Sequence, residues 1–175
     1  VILERLSRRI AISIKTADPE GPGTVEVLEY ELGLRLNWYT GLLLTIILGL
    51  TFGTFIGALI TLFSFVILRK FSGGVHLPIT LCSIATGIVA ALVPLINLNF
   101  EAILLLNTVS LIIVLLYAPN EFEYVNPTSW DQWLKWISAA LVAANFVIKS
   151  PEITLAFFIQ AILILPVWTK PEGGG

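Results

Sequence analysis

The chain has 175 residues, 57% of them hydrophobic and 13% charged, with a mean hydropathy of +0.91, far more apolar surface than a soluble domain of this length encloses. A net charge of -2 and a pI near 5.4 exclude a basic nucleic-acid-binding face. A single cysteine excludes an internal disulfide, and a single histidine with no HExxH pattern leaves too few ligands for a zinc protease.

In the first fifteen residues Leu3, Leu6, Ile10 and Ile14 recur at helical spacing, while Arg5, Arg8, Arg9 and Lys15 occupy the rest of the circumference. This pattern predicts a basic amphipathic helix lying on an anionic inner leaflet. Its charges interrupt any apolar run of the kind a secretory signal needs, so the N-terminus is expected to stay on the side where it is made. Asp18, Pro19, Glu20, Gly21, Pro22 and Gly23 break the helix, and a second amphipathic stretch over 24–37 follows.

Uncharged runs over 36–68, 77–100, 102–120, 137–148 and 153–169 define the spans. Residues 38–68 form an apolar stretch that would be roughly 46 Å long as one helix, against a hydrocarbon core of about 30 Å. Gly49, Gly53 and Gly57 recur at its middle, as a close-packing face or as the place where the chain turns back. Charge placement favours the hairpin: it puts the N-terminal region, the 69–78 loop, the 118–134 loop and the C-terminus on one side, with every Lys and Arg except Lys149.

The other spans cover approximately 79–96, 102–118, 133–148 and 153–168. The expected fold is all-α, a polytopic membrane helical bundle of about six transmembrane passes preceded by N-terminal amphipathic helices. Its divisions are an interfacial segment over 1–37, a transmembrane catalytic domain over 38–170 and a short tail over 171–175. Trp38, Tyr39, Tyr117, Tyr124, Trp130, Trp133, Trp136 and Trp168 cluster near span ends, as in an aromatic belt. Asn107, Asn145 and Gln160 fall within spans and are expected to bond across helices.

His76 and Cys82 lie six residues apart, just after Arg69, Lys70, Phe71, Ser72, Gly73 and Gly74. A thiol and an imidazole are the minimum parts for a cysteine nucleophile with its own base. One continuous helix through both would separate the side chains by about 240°. A loop holding His76, followed by a helix started at Pro78, can bring them together. The opening turn of that helix and the cations Arg69 and Lys70 favour a thiolate, whereas deep burial in hydrocarbon opposes it. Reactivity therefore requires Cys82 near the membrane boundary. Gly73 and Gly74 suit a loop that must receive a substrate. Against this stands the ordinary behaviour of a solitary Cys in an apolar helix as a small hydrophobe, and of an interfacial His as a snorkelling polar group.

The run from Arg69 through Gly73, Gly74 and His76 to Cys82 resembles the signature of the accessory gene regulator B family of membrane peptidases, an Arg, a Gly-Gly-x-His and a following Cys. Residues 28–34, with Glu29, Tyr30, Glu31 and Gly33, are similar to the segment before that family's first span. Leu116, Tyr117, Ala118 and Pro119, with Pro127, resemble its Tyr-Ala-Pro loop. The resemblance implies a cysteine endopeptidase that clips the C-terminal part of a small AgrD-like precursor peptide. The peptide is held as an acyl-enzyme thioester and released as a cyclic thiolactone or lactone autoinducer for quorum sensing. It further implies His76 as base, Cys82 as nucleophile, and Arg69, Lys70, Gly73 and Gly74 as substrate-binding or supporting residues. No cofactor or metal is implied, and the enzyme is expected to be a homodimer in the cell membrane with its active site on the cytoplasmic side.

Two departures from the family pattern stand out. The family's cysteine follows its histidine by seven residues, whereas here the seventh is Ser83 and the sixth is Cys82. Cys82 remains the expected nucleophile, because an alkoxide is much harder to generate than a thiolate. The loop after Pro119 is also longer than the family's, with Asn126 before Pro127 where a basic residue often stands. Glu121, Glu123 and Asn126 of this loop are candidates to orient His76, or are simply solvated loop residues. The competing function is a non-catalytic peptide transporter or scaffold. Spans without ionisable groups speak against an ion-coupled transporter.

Overall fold

The structure, a computed structural model, describes residues 2–75, 77–120 and 131–168. Among these, seven α-helices follow one another: α1 (Ile2–Ala17), α2 (Val25–Thr51), α3 (Phe55–Ser72), α4 (Ile79–Leu92), α5 (Phe100–Tyr117), α6 (Asp131–Ile148) and α7 (Pro151–Ile164). Single 3-10 turns continue α4 over Val93–Leu95 and α7 over Pro166–Trp168. The all-α membrane bundle expected from the sequence is the observed architecture. By length and composition, α2, α3 and α5 are apolar enough to cross a membrane, and three shorter apolar helices accompany them.

The distribution of residues is that of a protein solvated by lipid. Leu50, Ile56, Leu105, Leu116 and Val147 face outward, while Thr45, Thr61, Ser83, Asn107, Ser110, Ser138, Asn145, Thr154 and Gln160 are buried. Lipid is as apolar as leucine, so helices gain nothing by hiding leucine from it. They associate instead through small residues that allow close approach and through polar groups that find no partner in hydrocarbon. Asn145 illustrates this: its amide nitrogen donates to Asn107 Oδ1 at 3.1 Å and to Thr154 Oγ1 at 2.8 Å, tying α6 to α5 and α7.

The long apolar stretch over 38–68 is a hairpin. Thr24 caps α2 by accepting the Val27 N–H, and the helix then runs through residues 37 and 38 without a break. At its end Gly53 adopts φ 69°, a left-handed conformation that only glycine takes without strain, and the Thr54 N–H returns to the Gly49 carbonyl at 2.8 Å. The three glycines divide the work. Gly53 turns the chain, Gly49 lets α3 approach, with Ala58 Cβ 3.1 Å from where a Cβ would sit, and Gly57 makes room for Pro94.

The hairpin sets the direction of everything that follows. The 52–54 turn, Pro94 and Glu152 gather at one end of the bundle, where Thr54 Oγ1 donates to Ala91 O. Gly73, Gly74, Asn120 and the close of α7 gather at the other, together with α1. α4 packs along α2 through glycines: a Cβ at Gly87 would fall 2.6 Å from Leu44 Cβ, and one at Gly33 would fall 2.5 Å from Ile79 Cδ1.

Gly87→Val is therefore expected to force α2 and α4 apart at a backbone-proximal contact and to cost about 1–3 kcal/mol. A lowered thermal midpoint in detergent checks this, with Gly53→Asn, which meets no neighbour within 4 Å, as the milder comparison.

Candidate functional site

The first turn of α4 is built by three other elements. Pro78 is its N-cap residue and offers no side-chain cap, so the free N–H groups of the turn look elsewhere. Glu4 of α1 supplies the missing acceptor: Thr80 donates its backbone N–H to Glu4 Oε1 at 3.1 Å and its hydroxyl to Oε2 at 2.7 Å. Leu3 N–H in turn donates to Thr80 Oγ1 at 3.0 Å. A carboxylate on a helix N-terminus is favoured by the helix dipole as well as by these bonds. Burial pushes the Glu4 carboxyl up, but the Thr80 hydroxyl and the backbone N–H groups outweigh it, and the group sits below its ordinary value.

Cys82 belongs to this same turn, with its N–H donating to Pro78 O at 2.9 Å. Its neighbour Ser83 points a different way. Ser83 is fully buried against α2, where its hydroxyl lies 2.7 Å from Asn37 Oδ1 and 2.9 Å from Ile79 O. The Asn37 amide nitrogen is 4.0 Å from Cys82 Sγ, so one side chain of α2 touches both residues.

Two cavities meet at Cys82. The larger, about 220 Å³, lies between α3, α4 and α7 and is almost wholly apolar, with Leu62, Phe65, Val89, Ala156 and Ile159 among its walls. The smaller, about 140 Å³, lies between α2, α3 and α4 and includes Asn37, Trp38 and Gly41. Cys82, Arg69, Phe65, Leu62 and Thr86 border both. Ser83 borders neither. Arg69 reaches into this shared wall from the last turn of α3 and donates from Nη2 to the Val75 carbonyl at 2.5 Å. Lys70, by contrast, is exposed on the outer side of α3, 6.0 Å from the Phe71 ring centroid.

Gly73 and Gly74 adopt φ 71° and 124°, both in the range that favours glycine. The room they leave is occupied by the chain itself. A Cβ on Gly74 would fall 3.1 Å from the Leu163 carbonyl oxygen and 3.3 Å from Gln160 Nε2. Gln160 Nε2 donates to Gly73 O at 2.6 Å and to Ser72 Oγ at 3.0 Å, while Val75 N–H donates to Leu163 O at 3.1 Å. From the other side Asn120 pairs with the loop, accepting the Gly74 N–H at 2.9 Å and donating to Ser72 O at 3.1 Å. Its side chain donates to Ile164 O at 2.6 Å. The glycine loop is thus a rigid piece of backbone clamped by α7 and by the residue after Pro119. His76, which follows it, lies outside the described residues, as do Glu121, Glu123 and Asn126.

Residues 7–164 match the accessory gene regulator B family. The chain belongs to that family. A relative from Halalkalibacterium halodurans, whose name marks it only as AgrB-like, is 27% identical over 179 residues, covering 97% of this chain and 90% of the relative. No solved structure matches the chain. Membership in the accessory gene regulator B family ties the chain to a membrane and to the processing of a quorum-sensing precursor peptide.

The structure brings Cys82 and Arg69 of the expected site residues to one cavity wall and sets Gly73 and Gly74 in the adjoining loop. Sequence reasoning overlooked Asn37 and Glu4. Each had a visible signal: Asn37 is the last polar residue before the apolar stretch, and Glu4 is the one acid in a basic amphipathic helix. The depressed Glu4 carboxyl gives α1 docking a definite pH dependence. Its contribution is complete above the ordinary value of 4.5 and is lost as pH falls through the lowered folded value. Hydrogen exchange of the α1 backbone, corrected for intrinsic rates, is expected to rise over that acid range in the wild type. In Glu4→Gln it should be raised already at neutral pH and show no such acid step.

Proposed function

We propose that the chain is a membrane-embedded cysteine endopeptidase of quorum sensing. It removes the C-terminal part of a small precursor peptide and closes the remainder into a thiolactone or lactone. The observation that carries this reading is the place of the Cys82 sulfur: in the first turn of α4, on the wall that two cavities share with Arg69. Of the five residues that border both cavities, Cys82 is the one that carries a thiol.

His76 accepts the Cys82 proton, and Sγ adds to the scissile carbonyl carbon as the carbonyl π pair moves onto oxygen. When that pair returns, the C–N bond breaks and the leaving amine takes the proton from the imidazole. The N-terminal product remains on Cys82 as a thioester. An internal thiol or hydroxyl of the peptide then gives up its proton, adds to the thioester carbon and expels the Cys82 sulfur, which is reprotonated as the ring leaves. Arg69 holds the Val75 carbonyl, one residue before His76, and so fixes the loop that carries the base. The apolar cavity beside Cys82 suits a large apolar side chain flanking the scissile bond.

The end of the bundle that carries this site also carries Arg69, Lys70 and the basic helix α1, whereas Lys149 stands at the other end. By the positive-inside rule that end is the cytoplasmic one, which is where a newly made precursor is found. The family resemblance supports a homodimer as the working unit.

Co-expression with a candidate precursor tests the proposal. Cys82→Ala and His76→Ala are each expected to reduce cleavage to background while the protein still reaches the membrane, and hydroxylamine is expected to release peptide from the wild type only. Undiminished cleavage in both variants would leave the transporter or scaffold standing instead.

A further inference from the structure

The Asn37 side chain bridges two adjacent residues of α4 that face different ways, and it does so with opposite ends of its amide. Its oxygen meets Ser83 Oγ at 2.7 Å and its nitrogen meets Cys82 Sγ at 4.0 Å. Ser83 is fully buried and lies outside both cavities, so its hydroxyl has no access to a peptide. Its one hydrogen has two near acceptors, Asn37 Oδ1 at 2.7 Å and Ile79 O at 2.9 Å, and given to the nearer it holds the amide oxygen and leaves the NH2 toward the sulfur. Asn37 also lines the smaller cavity beside Arg69 and Cys82, and its nitrogen is the end of the amide on the Cys82 side.

We propose that Asn37 is a catalytic residue. Its amide N–H groups donate to the negative charge of the reaction, first on the Cys82 sulfur and then on the oxyanion of the tetrahedral intermediate, and Ser83 is the positioning residue that holds the amide in that sense. The inference rests on Cys82 being the nucleophile. The charge relocates in one step: as the S–C bond forms, the electrons that leave the carbonyl π bond settle on an oxygen two bonds from the sulfur. An amide with two N–H donors can follow that movement without rotating. A donor fixed before the reaction begins is worth more than one recruited from solvent, most of all in an apolar site where no water replaces it. The opposite amide orientation would put the Asn37 oxygen against the thiolate, where it repels the charge instead of stabilising it.

The deciding variant is Asn37→Asp, which has the same shape and keeps the oxygen that Ser83 holds, but presents a carboxylate where the donor stood. In membranes carrying the full chain and a candidate precursor, kcat for cleavage is expected to fall about 10²-fold or more with KM little changed. Iodoacetamide labelling of Cys82 is expected to slow several-fold in the same membranes. Ser83→Ala leaves Asn37 in place and removes only the lock. It is expected to lower kcat and slow labelling by a smaller factor, with KM unchanged, and Ser83→Thr, which restores a hydroxyl, to recover part of the loss. Wild-type kcat and labelling in Asn37→Asp and Ser83→Ala, with Cys82→Ala inert, would overturn the role given to Asn37. Cleavage persisting in Cys82→Ala would instead overturn the nucleophile assignment on which that role depends.

Discussion

Close approach of α2 and α4 is the constraint on which the site depends. It is made by absence: with no Cβ on Gly87, Leu44 of α2 sits where a methyl group would have been, and with none on Gly33, Ile79 closes over α2 at the start of α4. Between those two contacts Gly41 faces the Ser83 carbonyl, and Asn37 fits against Cys82 and Ser83. In water such a seam would be driven by burying leucine. In lipid it is driven by dispersion between backbones that come near enough to touch and by the polar groups trapped between them. The same seam that stabilises the helix pair therefore also fixes where a polar side chain can stand beside the sulfur.

The other half of the site is held by hydrogen bonds rather than by packing. The segment from Gly73 to Val75 leaves α3 with backbone groups that hydrocarbon cannot satisfy, and Gln160, Asn120 and Leu163 each take or give a bond there, while Ile164 O holds the Asn120 side chain. Glu4 does the same for the first turn of α4. These partners come from elements far apart in sequence, the first helix, the residue after Pro119 and the last long helix. The site is thus a place where elements from both ends of the described chain converge.

The bundle itself was legible in the sequence because hydrophobic length and charge placement are one-dimensional properties. Uncharged runs gave the helices, and the position of Lys149 against all other cations pointed to the hairpin that Gly53 makes. The buried amides were legible for the same reason, since an Asn or Gln inside a span has only other helices to bond. What escaped was everything that depends on which helices touch. Nothing in the local sequence says that Glu4 lies over Thr80, 76 residues later, or that Asn37 lies against Cys82, 45 residues later. The glycine pair reads in sequence as a loop that receives a substrate, and the group that lies against Gly74 is α7 of the same chain.

Helix geometry also separates the two residues at the end of the motif. Consecutive residues on a helix point about 100° apart. On α4 this sends Cys82 to the wall between the cavities and Ser83 into the seam with α2. The family's seventh position after the histidine is therefore occupied here by a residue whose hydroxyl is buried and bonded, while the sixth carries the sulfur that faces open space. A nucleophile is defined by the face it occupies and by what surrounds it, not by its count along the chain. The serine faces α2 and the thiol faces the wall it shares with Arg69, so the two side chains meet different surroundings although they are neighbours in sequence.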